Sequence, residues 1–402
     1  MERLDRLAEI SESDSHLTRR CYTSEHRRAA NLIAAWMREA GMEVREDAVG
    51  NVIGRYDGTS ADAPVIMIGS HHDSVVMGGK YDGPLGVLSG IDVVHSLHRR
   101  GIRLTNPVEV VAFSDEEGVR YQSTLLGSRG VAGTFDYSML THRDKDGITL
   151  AKAMTDYGLD TDLIPTAARK KGDLLCYLEV HIEQGPVLEV EDLAVSAVTA
   201  IAGAERLTIH VQGKAGHAGT VPMGQREDAL AAAAECVLAV EEIAATHEEA
   251  VGTVGQLSLV PGATNVIPGT VTFSVDFRAA RDDIRLDAFK LLTRRFDAIA
   301  HARGVTITRD HTYSHDGVTA APHIVVSMEA AMTELGHRPF RLPSGAGHDA
   351  GAMAEITDIG MIFVRCKDGI SHHPAESITR DDAIAGAELL LRTVEKIGGR
   401  NT

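Results

Sequence analysis

Short, wholly apolar strand candidates alternate with amphipathic helices over most of this 402-residue chain, and few folds accommodate that pattern. Residues 65–68 (VIMI) and 106–114 (NPVEVVAFS) read as strands buried on both faces. Between them, VLSGIDVVHSLHRRG reads as a helix. Nearer the start, EHRRAANLIAAWMREAG places Ala30, Leu32, Ile33, Trp36 and Met37 at helical spacing and stops at Gly41. MEVREDAVGNVIGRYDG alternates as two strands about a turn at Gly50-Asn51. Strands alternating with helices imply a mainly parallel α/β sheet.

After about residue 199 the pattern changes. The order becomes strand (206–213), alanine-rich helix (226–247), two strands (252–260 and 269–279), helix (282–304) and strand (305–311). That β-α-β-β-α-β order is the signature of a ferredoxin-like sandwich. From about residue 316 the alternation resumes with PHIVVSMEAAMTELG, GMIFVRC and DDAIAGAELLLRTVEKIGG. The expected architecture is therefore α/β. Residues 1–199 and 316–402 form a large mixed, mainly parallel sheet domain, and residues 200–315 form an inserted α+β domain.

Composition narrows the function. The chain has 40 Lys+Arg against 57 Asp+Glu, a formal charge of −17, which disfavours polyphosphate partners. It contains no apolar run of about 18 residues, so no membrane span is expected. MERLDRLAEISESDS lacks the apolar stretch of a signal peptide, and a cytoplasmic location is expected. Cys21, Cys176, Cys236 and Cys366 lie far apart with no CxxC pair, which points away from a disulfide framework or a thiolate metal site.

The histidines and acids carry the chemistry. The first apolar strand ends in GSHHDS, where His71 and Asp73 share a face while His72 opposes them. A carboxylate behind an imidazole is the usual support of a metal-binding histidine, although His-x-Asp also occurs in ordinary loops. GGKYDG places Asp82 in a glycine-bracketed loop, or in a simple turn. The second strand ends in SDEEGVRY, three acids that are costly to bury without a cation, unless the loop is exposed. His181 lies in the alternating stretch CYLEVHIEQGP, and a histidine pair follows a third buried strand in FVRCKDGISHHPAE. Imidazoles and carboxylates on parallel strand ends form a two-metal inventory.

The segments GSHHDS…GGKYDG, FSDEEGVR, LEVHIEQGPVLE, GHAGTVPM, NVIPG and GISHHPAE, in this order, resemble the hydantoinase/carbamoylase branch of the dinuclear aminoacylase/carboxypeptidase-like metallohydrolases. The resemblance implies that His71, Asp82, Glu117, His181 and His372 ligate two divalent ions, with Asp82 bridging. Glu116 would be the general base and Asp73 the support of His71. His372 is chosen over His373 by the family's Ser-His-x-Pro pattern. Resemblance favours Mn²⁺, and a thiolate-free donor set also suits Zn²⁺.

In the inserted domain, Val271, Phe273, Val275 and Phe277 alternate with a polar face carrying Asp276 and Arg278. Arg278 either pairs with Asp276 or, as in relatives, joins Asn265 of NVIPG to bind a substrate carboxylate. His217 of GKAGHAGT matches a lid histidine that polarises the scissile carbonyl, and Gln184 matches a substrate-contacting glutamine. Arg226 and the His348-Asp349 pair are further candidates, equally readable as a helix-start charge and a loop-to-helix cap. The resemblance implies a lid domain that also mediates homodimerisation.

The expected activity is hydrolysis of a linear ureido C–N bond in a small carboxylate-bearing substrate. REDAVGNV, SDEEGVRYQSTLLGS, SGAGHDA and VRCKDGISHHPAE look most like allantoate amidohydrolases, with N-carbamoyl-L-amino-acid hydrolases as the alternative. Behind these stand a ureidoglycolate or β-ureidopropionate hydrolase and a catalytically silent metal-binding dimer.

Overall fold

A computed structural model describes residues 1–247 and 249–399. The chain divides into two compact units: Met1–Thr199 with Thr319–Leu342 and Ala346–Thr402, and Ala200–Val318 with Pro343–Gly345.

The first unit is built on a mixed sheet. Its centre follows the order Val108–Phe113, Val65–His71, Leu174–Ile182, Ile359–Val364, and these four strands run parallel. Antiparallel neighbours flank them: Val52–Tyr56 and Glu43–Glu46 on one side, Val195–Ile201 on the other. "Mainly parallel" therefore holds for the centre and not for the margins. The reason lies in the connections, because the short loop at Asp47–Asn51 can join only antiparallel strands.

The central strands are buried along their length, as their largely apolar sequences require, and the one acid inside Val108–Phe113, Glu109, is paired to Arg55 and Arg169. Helix Pro84–Arg99 packs directly on them, and small residues set the distance. A Cβ on Gly86 would lie 2.3 Å from the Val180 carbonyl oxygen, so the helix approaches the sheet only because that side chain is absent. Helix Ser24–Glu39 buries Ala30, Ile33, Trp36 and Met37 of the stripe read from spacing, together with Ala29, while Leu32 is only partly buried, and Thr23 caps the helix by accepting from the His26 N–H.

The second unit holds a five-stranded antiparallel sheet. Its order is Leu257–Val260, Thr270–Ala279, Gly203–Gln212, Thr306–His315, with Ala250–Thr253 also paired to Thr270–Ala279. Val271, Phe273, Val275 and Phe277 face the core with Leu292 and Phe296 of helix Asp282–Arg303. Full burial of each such side chain contributes about 1.5–3 kcal/mol. The single strand expected at 252–260 is instead two. The Ser274 hydroxyl accepts the Gln256 N–H and interrupts the ladder between them. Among the described residues, no helix is long and apolar enough to cross a membrane.

Candidate metal centre

The carboxyl ends of the four parallel strands deliver the candidate residues to one place, as open α/β sheets do for ligands. Asp82 is its hub. It precedes Gly83, whose φ of 80° turns the chain into helix Pro84–Arg99. A Cβ on Gly83 would sit 2.5 Å from the His71 ring, so glycine there lets the Asp82 loop close on His71. Asp82 Oδ1 lies 3.4 Å from His71 Nε2 and 2.9 Å from His181 Nε2, while Oδ2 lies 3.1 Å from His372 Nε2.

Asp73 serves two structures at once. One of its carboxylate oxygens is 3.3 Å from His71 Nδ1, and the pair accepts the backbone N–H groups of Glu116 (3.0 Å) and Glu117 (3.3 Å). A single buried carboxylate thus orients the imidazole and pins the acidic loop. The three acids of that loop then diverge. Glu117 Oε2 approaches His372 Nε2 at 3.7 Å, Glu116 groups with His71 and Glu117, and Asp115 is buried beside Cys21.

Two groups have ligand atoms within 4.8 Å of one another and share Asp82: His71–Asp82–His181 and Asp82–Glu117–His372. The electrostatics favour cations there. Burial drives the Glu116 carboxyl well above its ordinary range, with Glu117, Asp349 and Asp73 adding repulsion, and burial raises Glu117 to about 7. Burial also pulls Asp82 upward, but the neighbouring His181, His372 and His71 hold it well below the usual carboxylate range. Glu117 Oε1 is buried without a hydrogen-bond partner. Among the described residues no lysine or arginine forms a salt bridge to Asp82, Glu116 or Glu117. Buried acids interleaved with imidazoles, with one oxygen orphaned, fit divalent ions bound by oxygen and nitrogen.

Gln184 and His372 share the left-handed region, at φ 58° and 54°. The Gln184 amide donates to Asp82 Oδ2 at 3.0 Å and also meets Ser371 Oγ and His372 Nε2. His373 turns away, its exposed ring accepting the Ala375 N–H. His348 is buried against His181, ring centroids 4.5 Å apart, and occupies the position just before the short helix that Asp349 opens. Both belong to this neighbourhood.

Sequence reasoning passed over two carboxylates. Glu179, two residues before His181 on one strand face, accepts from Ser70 Oγ, Tyr177 Oη and the Ala350 N–H. A glutamate inside a buried apolar strand was the available signal. Glu376 accepts from the backbone of Tyr81 and Asp82, and its place at the end of the GISHHPAE segment was the available signal.

The remaining candidates lie in the second unit. Gly216–His217 pairs with Val266–Ile267, and the Ala218 N–H donates to the Asn265 carbonyl, so His217 and Asn265 are neighbours. The exposed His217 ring accepts the Gly219 N–H. Arg226 clasps that loop through the Ala218 and Val221 carbonyls. Arg278 forks onto Asp276 and donates a further hydrogen bond to the Gly345 carbonyl. Its guanidinium has five N–H groups, so two remain beyond these contacts among the described residues.

Residues 67–396 match the family described as peptidase family M20/M25/M40. The chain is 47% identical over 394 residues to an N-carbamoyl-L-amino acid amidohydrolase from Geobacillus stearothermophilus, covering 98% of this chain and 96% of that one. It is 38% identical over 424 residues to an allantoate deiminase from Arabidopsis thaliana, covering 98% and 81%. The crystal structure of a hydantoinase/carbamoylase-family amidase from Burkholderia multivorans is similar at a TM-score of 0.94 and 34% identity, over 100% of this chain and 97% of that one.

Proposed function

This chain belongs to peptidase family M20/M25/M40 and is a hydrolase of C–N bonds, and from that premise we propose that it cleaves a linear ureido acid, allantoate foremost. The observation that carries the reading is the convergence of three imidazoles on the two oxygens of Asp82, with Glu116 and Glu117 alongside. His71, Asp82 and His181 would hold one divalent ion, and Asp82, Glu117 and His372 the other. Mn²⁺ or Zn²⁺ bound there supplies a water of pKa about 7 and a Lewis acid for an unreactive carbonyl.

The chain's own residues do the rest. The Glu116 carboxylate takes the proton of the attacking water and returns it to the leaving nitrogen. Asp73 holds His71 in one tautomer and orientation. Arg278 and Asn265 bind the substrate carboxylate, Gln184 touches the substrate, and His217 polarises the ureido oxygen. Water adds to the ureido carbon and a C–N bond breaks. The final products are the amine, ammonia and CO₂. The second unit serves as lid and as the pairing surface of a homodimer.

Allantoate is preferred on segments such as VRCKDGISHHPAE, while the 47% identity to a carbamoylase supports N-carbamoyl-L-amino acids as the second reading. The Mn²⁺-loaded protein, assayed for ammonia release, should give a higher kcat/KM on allantoate. Higher turnover of N-carbamoyl-L-amino acids transfers the assignment to them, and turnover of neither removes the ureido reading.

Arg278→Lys should raise KM for either substrate and lower kcat/KM about 10–100-fold, because an ammonium cannot present a planar fork to a carboxylate. Steady-state kinetics check this. Unchanged KM would place the substrate carboxylate elsewhere.

A further inference from the structure

The loops that carry Asp82 and His372 are far apart in sequence, yet one side chain spans both. Glu376 Oε1 accepts the backbone N–H of Tyr81 at 2.9 Å and of Asp82 at 3.1 Å. Its Oε2 lies 3.0 Å from the hydroxyl of Ser371, the residue before His372. The same hydroxyl is 3.1 Å from Asp82 Oδ2 and accepts from the Gln184 amide at 3.1 Å. A serine has one proton to give, and the Glu376 carboxylate competes for it with Asp82. Donated to Glu376, that proton leaves Asp82 Oδ2 with the Gln184 amide and His372 as its remaining partners.

The contact is tight. A Cβ on Gly79 would fall 2.1 Å from Glu376 Cδ and 2.2 Å from Oε1, so the loop before Asp82 reaches this carboxylate only because residue 79 lacks a side chain. His372 needs such an anchor. It is half exposed and sits at a φ of 54°, a backbone state that an ordinary residue keeps only when its surroundings impose it.

We propose that Glu376 is a positioning residue that fixes the Asp82 loop against the Ser371–His372 loop, and so makes the Asp82–Glu117–His372 group competent for its ion. The inference rests on the dinuclear reading given above. The Glu376 carboxylate is engaged by the Tyr81 and Asp82 N–H groups and by the Ser371 hydroxyl. It acts through the backbone of Asp82 and through the direction of the Ser371 proton.

The test is Mn²⁺ titration of the full-length, metal-stripped protein, with bound metal counted by elemental analysis and melting followed in parallel. Wild type should take two ions. Glu376→Ala should bind the ion of the Asp82–Glu117–His372 group about 10–100-fold more weakly, the usual cost of losing a residue that orients ligands, and the other ion with a distinctly smaller loss. Glu376→Gln keeps an acceptor for both N–H groups, but its amide donates to Ser371 and turns that hydroxyl onto Asp82. It should weaken the same ion by less. Gly79→Ala, which pushes the carboxylate away, should reproduce the alanine variant.

Two wild-type-affinity ions in Glu376→Ala would overturn the proposal. So would equal weakening of both ions with a lowered melting temperature, which marks a merely structural brace. If Glu376→Ala does not fold, Glu376→Gln decides on the same criterion. A wild-type protein that takes fewer than two ions would instead refute the dinuclear reading, and this inference with it.

Discussion

Asp82→Ala should lose both ions together and reduce turnover to background. Each oxygen of this carboxylate faces a different set of imidazoles: His71 and His181 at Oδ1, His372 at Oδ2. No other carboxylate is shared by the His71–Asp82–His181 and Asp82–Glu117–His372 groups. Removing a terminal ligand weakens one site, whereas removing Asp82 opens both and leaves the imidazoles with no anion between them. His71→Ala provides the contrast, since it touches only one of these two groups and should spare the other ion. Metal content after dialysis and turnover on a ureido acid measure the effect. Asp82→Ala retaining two ions would mean that they bind elsewhere.

Glu116→Gln should retain both ions, keep KM near the wild-type value and lose about 10²–10⁴-fold in kcat, the usual contribution of a general base. The substitution preserves size and the backbone N–H that Asp73 accepts, so the acidic loop keeps its shape. What disappears is the oxygen that receives a proton. The Glu117 neighbour cannot substitute, because its side chain is turned toward His372 and Asp82. Burial holds the Glu116 carboxyl well above its ordinary range against the opposing pull of His71, with nearby Glu117, Asp349 and Asp73 reinforcing the rise. Wild-type turnover in Glu116→Gln would move the proton transfer to another group, and lost metal would make Glu116 a ligand.

Features that rest on neighbours in the chain were legible from residues alone. The two-residue alternation of a strand puts His71 and Asp73 on one face, and the structure finds them 3.3 Å apart. The same rule assigned Val271, Phe273, Val275 and Phe277 to one core. Helix Ser24–Glu39 could be read from the spacing of its apolar stripe. The strand at 252–260 was misread because its interruption comes from Ser274, a residue on the neighbouring strand.

The candidate site divides along the same line. Side-chain type and local spacing marked His71, Asp82, the acidic loop, His181 and the histidine pair, and the resemblance selected Glu117 and His372 among them, whereas residue identity says nothing of where a ring points. Tertiary structure turned His372 toward Asp82 and His373 toward solvent through the left-handed backbone at residue 372. Folding likewise joined Glu376 to the Asp82 loop. Periodicity and composition are properties of a chain read a few residues at a time, and they determine which segments become strands, helices and cores. Contacts between segments hundreds of positions apart exist only once those strands are stacked side by side, so the meeting of acids and imidazoles was a decision of the sheet's order.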